Sequence, residues 1–155
     1  MALVCAAAAC GSAPPFPREL LERTDREPDL KALLREPERS AGRLVMLGGA
    51  IVETRNLRNA TEVEVLQQPL DSEGRPRTGD TTAGRFLIAT PRLLDAAVHH
   101  RGRNVTVIGE TAGTTERPLG AAAYRYLVLK ETAYHLWPPS TDPRFSVGIG
   151  RYHGF

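Results

Sequence analysis

The run Leu44-Val45-Met46-Leu47-Gly48-Gly49-Ala50-Ile51-Val52 constrains the fold more than any other segment of the chain. It reads as a strand, yet two adjacent glycines interrupt it. Glycine inside a strand marks a bulge, a sharp bend or a close approach of another backbone. A sheet that begins this way is expected to bend strongly and close on itself. A flat two-sheet sandwich is the competing architecture.

Further along, the hydrophobic period is again two. Thr61-Glu62-Val63-Glu64-Val65-Leu66 alternates, with Val63 and Val65 predicted to face the core and the glutamates to face out. Pro69 ends that strand. A polar loop over 71–84 leads to a third strand at 85–89, and 104–110 is the fourth. Between them, Pro91 is placed to open a short helix through Leu93, Leu94 and Val98, as proline does in a first turn, and Gly102 to close it. The stretch 113–120 reads as a loop. Residues 124–129 form a fifth strand, and 133–137 either extends it or makes a sixth. Ahead of the sheet, Leu30, Leu33 and Leu34 have helical spacing, which predicts a short N-terminal helix over 29–35 with Asp29 near its start.

The fold class is therefore mainly β: a small five- to six-stranded antiparallel barrel. One short helix lies between strands 3 and 4 and one at the N-terminus. That order resembles the oligonucleotide/oligosaccharide-binding barrel. At 155 residues and 41% hydrophobic content the chain has the material for a single domain with its own core. A net charge of +2 gives no strong pull toward nucleic acid.

Both cysteines, Cys5 and Cys10, fall in the first ten residues. Cys10 follows four alanines and precedes Gly11-Ser12, which reads as a lipoprotein cleavage box with Cys10 as the lipidation site. Residues 1–10 would then be a lipoprotein signal sequence, 11–28 a flexible Pro-containing tether, 29–138 the barrel domain and 139–155 a Gly-rich tail. The apolar run is short and no basic residue precedes it, unlike an ordinary secretory signal. A start upstream of Met1, or an Ala-rich terminus with no signal role, stays open. Loss of Cys5 with the leader and acylation of Cys10 would leave no thiol for a disulfide, a thiolate metal site or a cysteine nucleophile.

The ordered series through the middle of the chain resembles the Slp family of outer-membrane lipoproteins. It comprises Gly48-Gly49-Ala50-Ile51-Val52, Asn56, Thr61-Glu62-Val63-Glu64-Val65-Leu66-Gln67-Gln68-Pro69-Leu70-Asp71 and Gly74-Arg75-Pro76. It continues with Gly84-Arg85-Phe86, Leu94-Asp95, Gly102-Arg103-Asn104-Val105-Thr106-Val107-Ile108-Gly109, Gly120, Tyr124-Arg125-Tyr126 and Leu136-Trp137-Pro138. The likeness covers about 37–138. It implies a protein held in the bacterial outer membrane by lipid on Cys10 (palmitate among its acyl chains) and facing the periplasm, with a starvation or stress association and no enzymatic activity. Gly11 lacks the aspartate that would imply retention in the inner membrane. Leu47 stands where the family usually has tryptophan, and the leader is shorter than the family's.

Other constellations carry weaker chemistry. Arg75, in the long loop, and Arg85, directly after it, are candidates to bind an anionic group, or to bridge carboxylates such as Asp71. Tyr124 and Tyr126 share a strand face and are candidates to stack on a sugar, or to pack in the barrel wall. Glu62 and Glu64 share a face, where pairing with arginines on a neighbouring strand is the simpler reading than acid–base catalysis. His99, His100, His135 and His153 lack metal-ligand spacing, although Asp95 lies one helical turn before His99. The expectation is no catalytic residue, no metal and no cofactor. The predicted partners are the membrane, through the N-terminal lipid, and an envelope protein or saccharide, with no nucleic acid. The leading functional reading is a structural or stress-related envelope lipoprotein; the alternative is a periplasmic module recognising a saccharide or other envelope component.

Overall fold

The computed structural model describes residues 13–139. Cys10, the 1–10 leader and residues 140–155 of the tail lie outside the described residues. Three short helices, α1 (Arg18–Glu22), α2 (Leu30–Arg35) and α3 (Pro37–Ser40), precede the sheet. The strands are β1 (Leu44–Asn56), β2 (Thr61–Gln67), β3 (Arg85–Thr90), β4 (Asn104–Leu119) and β5 (Ala122–Leu136).

These described strands close into a barrel in the order β1-β2-β3-β5-β4, and β4 pairs back onto β1. Four seams are antiparallel and the β3–β5 seam is parallel. The parallel seam corrects the all-antiparallel expectation, and the strand count is the reason. Alternating up and down around a ring of five strands leaves one adjacent pair pointing the same way. Residues 133–136 extend β5, so they make no sixth strand.

Val45, Leu47, Val63, Val65, Phe86, Ile88, Val105, Val107, Leu127 and Leu129 fill the interior. The end of the barrel is stoppered by α2, whose Leu30 and Leu33 join that core. Asp29 caps this helix as its sequence predicts: Oδ1 accepts from the backbone N–H of Lys31 at 2.9 Å and of Ala32 at 3.3 Å.

The glycine pair does not form the bulge. The register shift in β1 falls between Ile51 and Glu53. Gly48 and Gly49 instead let two neighbouring strands come close. A Cβ built on Gly49 would lie 1.9 Å from the Leu66 carbonyl oxygen on β2, and one on Gly48 would lie 2.7 Å from the Val105 carbonyl oxygen on β4.

The helix expected between β3 and β4 is absent among the described residues; 91–103 is a series of turns. Past the first turn, side chains capture backbone donors that a helix would use, whereas Arg92 N–H is a first-turn donor that a helix leaves free. Thr90 Oγ1 accepts from Arg92 N–H at 3.2 Å, Thr61 Oγ1 from Leu94 N–H at 3.2 Å, and Asp95 Oδ1 from Ala97 N–H at 2.8 Å. Nor is there an apolar face to bury: Leu94 is 4% exposed, but Leu93 is 79% exposed and Val98 46%.

The stretch 113–120 is strand rather than loop. Its polar residues pair across the β4–β5 hairpin from Thr114↔Leu127 to Leu119↔Ala122, and Gly120 at φ +62° takes the turn. Residues 13–28 of the stretch expected as a tether carry regular structure. They contain α1, and Asp25 bridges Val45 in parallel.

Candidate functional site

The hairpin formed by β4 and β5 carries charged and aromatic side chains across the outside of β2. Glu62 and Glu64 do face outward, as their alternation predicts, but the hairpin covers them. Arg117 Nη2 donates to Glu62 Oε2 at 2.7 Å, and its Nη1 also engages Glu62. Arg85 Nη1 donates to Glu64 Oε1 at 2.7 Å. Tyr126 Oη donates to the same oxygen at 3.1 Å. Arg55 lies 3.7 Å from Glu64 on the remaining side. Burial, then the adjacent Glu64 carboxylate, holds the Tyr126 hydroxyl above the usual phenol range. The hydrogen bond to Glu64 holds Arg85 above its ordinary value, too.

Of the four residues singled out for ligand binding, three meet here. Tyr126 is 2% exposed and packs edge-on to Tyr124, with ring centroids 4.9 Å apart. The Tyr124 hydroxyl accepts from Arg85 N–H at 3.0 Å, and it lies where a Cβ on Gly84 would be, 2.4 Å away. Gly84 is favoured by its backbone angle of φ +125°, and a Cβ there would also displace the Tyr124 hydroxyl. Arg85 bridges Glu64 rather than Asp71. Glu64→Gln is expected to lower unfolding free energy by about 1–2 kcal/mol, discounted because Arg85 and Arg55 keep access to water. The same change removes the negative charge facing Tyr126. A spectrophotometric tyrosine titration should therefore show that hydroxyl ionising at lower pH than in the parent.

Arg75 lies elsewhere. Its guanidinium stacks on the Trp137 ring, 4.6 Å from the centroid. Trp137 is 7% exposed, and its Nε1 donates to Thr106 Oγ1 at 2.9 Å. Thr106 Oγ1 in turn donates to the Gly74 carbonyl at 2.6 Å. His135 packs edge-on to Trp137, with ring centroids 4.4 Å apart. Burial, reinforced by the charge of Arg75, holds the His135 imidazole below the ordinary histidine range. This chain of contacts clamps the 71–75 turn onto β4. Asp71 shapes the turn by accepting from Glu73 N–H and Arg75 N–H, each at 2.9 Å.

Sequence reasoning missed Trp137 as the centre of this clamp, and missed Thr106, Arg55 and Arg117 altogether. The available signal was Thr106 at an outward position between inward Val105 and Val107. His99 and His100 turn to backbone carbonyls, with Nδ1 at 3.1 Å from Asp95 O and 2.9 Å from Arg101 O. No three His, Cys, Asp or Glu side chains converge to hold a metal among the described residues.

A cleft of about 750 Å³ opens between the α1–α2 link, β1 and the segment after β2. Arg26, Met46, Gln67, Gln68, Leu70 and Arg77 are on its walls, and its described lining carries no aromatic side chain.

The family described as Outer membrane lipoprotein Slp family matches residues 7–152. An uncharacterized lipoprotein of Escherichia coli, YeaY, is 31% identical over 136 residues, covering 82% of this chain and 70% of the relative. An uncharacterized protein of Haemophilus influenzae is 35% identical over 98 residues, 63% of this chain and 53% of that one. Outer membrane protein Slp of Escherichia coli is 25% identical over 134 residues, 84% of this chain and 68% of its own length.

Proposed function

This chain belongs to the outer membrane lipoprotein Slp family, and from that premise we propose that acyl chains on Cys10 anchor it in the outer membrane. The barrel then faces the periplasm in a structural or stress-related role, without turning over a substrate. The observation that carries this reading is the Ala-Ala-Ala-Ala-Cys-Gly box, in which Cys10 falls inside the family match. One acyl chain binds a membrane only marginally, whereas the several chains of a lipoprotein cysteine make attachment effectively permanent. The barrel supports a structural role in a positive sense. Its paired carboxylates, Glu62 and Glu64, are held by arginines, and Trp137 and Tyr126 are buried.

The test is intact mass of the protein extracted from membranes of an expressing bacterium, beside Cys10→Ser. The expected result is a chain beginning at Cys10 with added acyl mass, absent from the variant, which partitions to the soluble fraction. An unmodified parent chain in the soluble fraction would sink the anchor. Protease added to intact cells and then to opened ones reads the face: cleavage only after opening is the periplasmic outcome.

A further inference from the structure

One unfilled rung of the β1 edge lines the cleft. Ile51 N–H donates to the Arg103 carbonyl on the β4 side, so the even-numbered residues before it point the other way. Asp25 fills the first rung in parallel. Its N–H donates to Leu44 C=O and its C=O accepts from Met46 N–H, both at 2.9 Å. Farther on, Gln68 N–H donates to Gly48 C=O at 2.9 Å. Between these, Met46 C=O and Gly48 N–H have no hydrogen-bond partner among the described residues. Glu27 would continue the parallel bridge, but its N–H donates to Asp25 Oδ1 at 3.2 Å and Pro28 follows.

Met46 and Gly48 are both buried, and an unpaired buried backbone group costs about as much as a lost hydrogen bond. Gln68 Oε1, in the same cleft, is a third buried polar atom without a partner. The open acceptor and donor flank Leu47 on one edge, the spacing at which one residue of an extended chain offers its own N–H and C=O. Arg26 and Arg77 are on the exposed rim, and neither forms an ion pair among the described residues. Of the acids there, Asp71 already serves the turn that it shapes.

We propose that this cleft binds an extended, carboxylate-bearing peptide segment of another protein, which adds one residue beside β1 between Asp25 and Gln68. That residue donates its N–H to Met46 C=O and accepts from Gly48 N–H. A following amide N–H donates to Gln68 Oε1, and the carboxylate takes Arg26 or Arg77. The site does not depend on acylation of Cys10.

The test pans the immobilised full-length chain against phage-displayed random octapeptides. The best sequence is then synthesised and titrated into isotope-labelled protein. Enriched sequences should carry Asp or Glu, and the Gly48 amide resonance should move on titration. Arg26→Glu with Arg77→Glu, both exposed positions, should bind about tenfold more weakly at unchanged melting temperature, as expected for loss of a charge-assisted bond. An ester in place of the amide facing Met46 should weaken binding in the parent by about fivefold. Failure to enrich any sequence, or peptides that leave Gly48 unmoved and bind the double variant equally, would overturn the proposal. A Gly48 amide already protected from exchange in the free chain would overturn it as well, since the rung would then be filled from within.

Discussion

Gly49→Ala is expected to destabilise the barrel by at least about 3 kcal/mol, the scale of a severe overpacking lesion. The added methyl carbon would lie 1.9 Å from the Leu66 carbonyl oxygen and 2.8 Å from its carbonyl carbon. Both are backbone atoms of β2, so no side-chain rotation relieves the clash. The two strands would have to separate at Gly49↔Gln67, which is the first rung of their seam. In a closed barrel that separation spreads, because each strand is fixed on both sides. For a domain worth about 5–15 kcal/mol in total, the loss is a large share of its stability. Urea unfolding followed by circular dichroism measures it. Gly120→Ala is the control: a Cβ there meets nothing within 4 Å, and only the positive φ of +62° is penalised, at about 1 kcal/mol. Equal losses in the two variants would show that the β1–β2 contact is looser than described.

Trp137→Ala carries the second large effect. Removing a buried tryptophan costs about 3–5 kcal/mol through lost burial and the cavity left behind. Here it also dismantles the clamp on the 71–75 turn. The Arg75 guanidinium loses the ring beneath it, His135 loses its aromatic neighbour, and Thr106 keeps only its bond to Gly74. Two readings follow. The unfolding midpoint should fall by the amount expected for the cavity, and trypsin should cut after Arg77 faster than in the parent under native conditions. Trp137→Phe keeps an aromatic surface for Arg75 but lacks the Nε1–H donor. It is expected to cost about 1–2 kcal/mol and to leave the trypsin rate closer to the parent's. Global loss of stability without faster nicking at Arg77 would place Trp137 in the core alone, with no hold on the turn.

Strands 2 and 3 were legible from short-range hydrophobic pattern. Val63 and Val65 are fully buried, so the β2 alternation maps directly onto inside and outside, whereas β3 is legible as a short apolar run, Phe86-Leu87-Ile88, buried throughout. The helix at α2 was legible for a similar local reason: Asp29 caps it, and Leu30 and Leu33 share one face. The far half of the β4–β5 hairpin was not. Thr114, Thr115, Glu116 and Arg117 are held as strand by backbone pairing, with no core face to impose an apolar alternation. The 91–103 connection failed in the opposite sense. Its sequence has helical spacing, but Thr61 from β2 takes up the Leu94 donor and Asp95 that of Ala97.

The candidate site divides along the same line. Local composition identified Arg75, Arg85, Tyr124 and Tyr126 as residues of interest. Their partners come from distant strands: Glu64 from β2 for Arg85 and Tyr126, and Trp137 from the end of β5 for Arg75. The sequence by itself determined the class of fold, the presence of a strand that admits close neighbours at Gly48-Gly49, the capped helix and the family series. Those features are written in short-range periodicity and in residues whose backbone demands are local. Tertiary structure alone decided that the glycines serve close approach rather than a bulge, that β3 and β5 run parallel, and that the outward glutamates are covered. It also decided that β1 keeps an open rung between Asp25 and Gln68. Each depends on which strands become neighbours when five of them close a ring, and that adjacency is set by long-range closure, which no local pattern encodes.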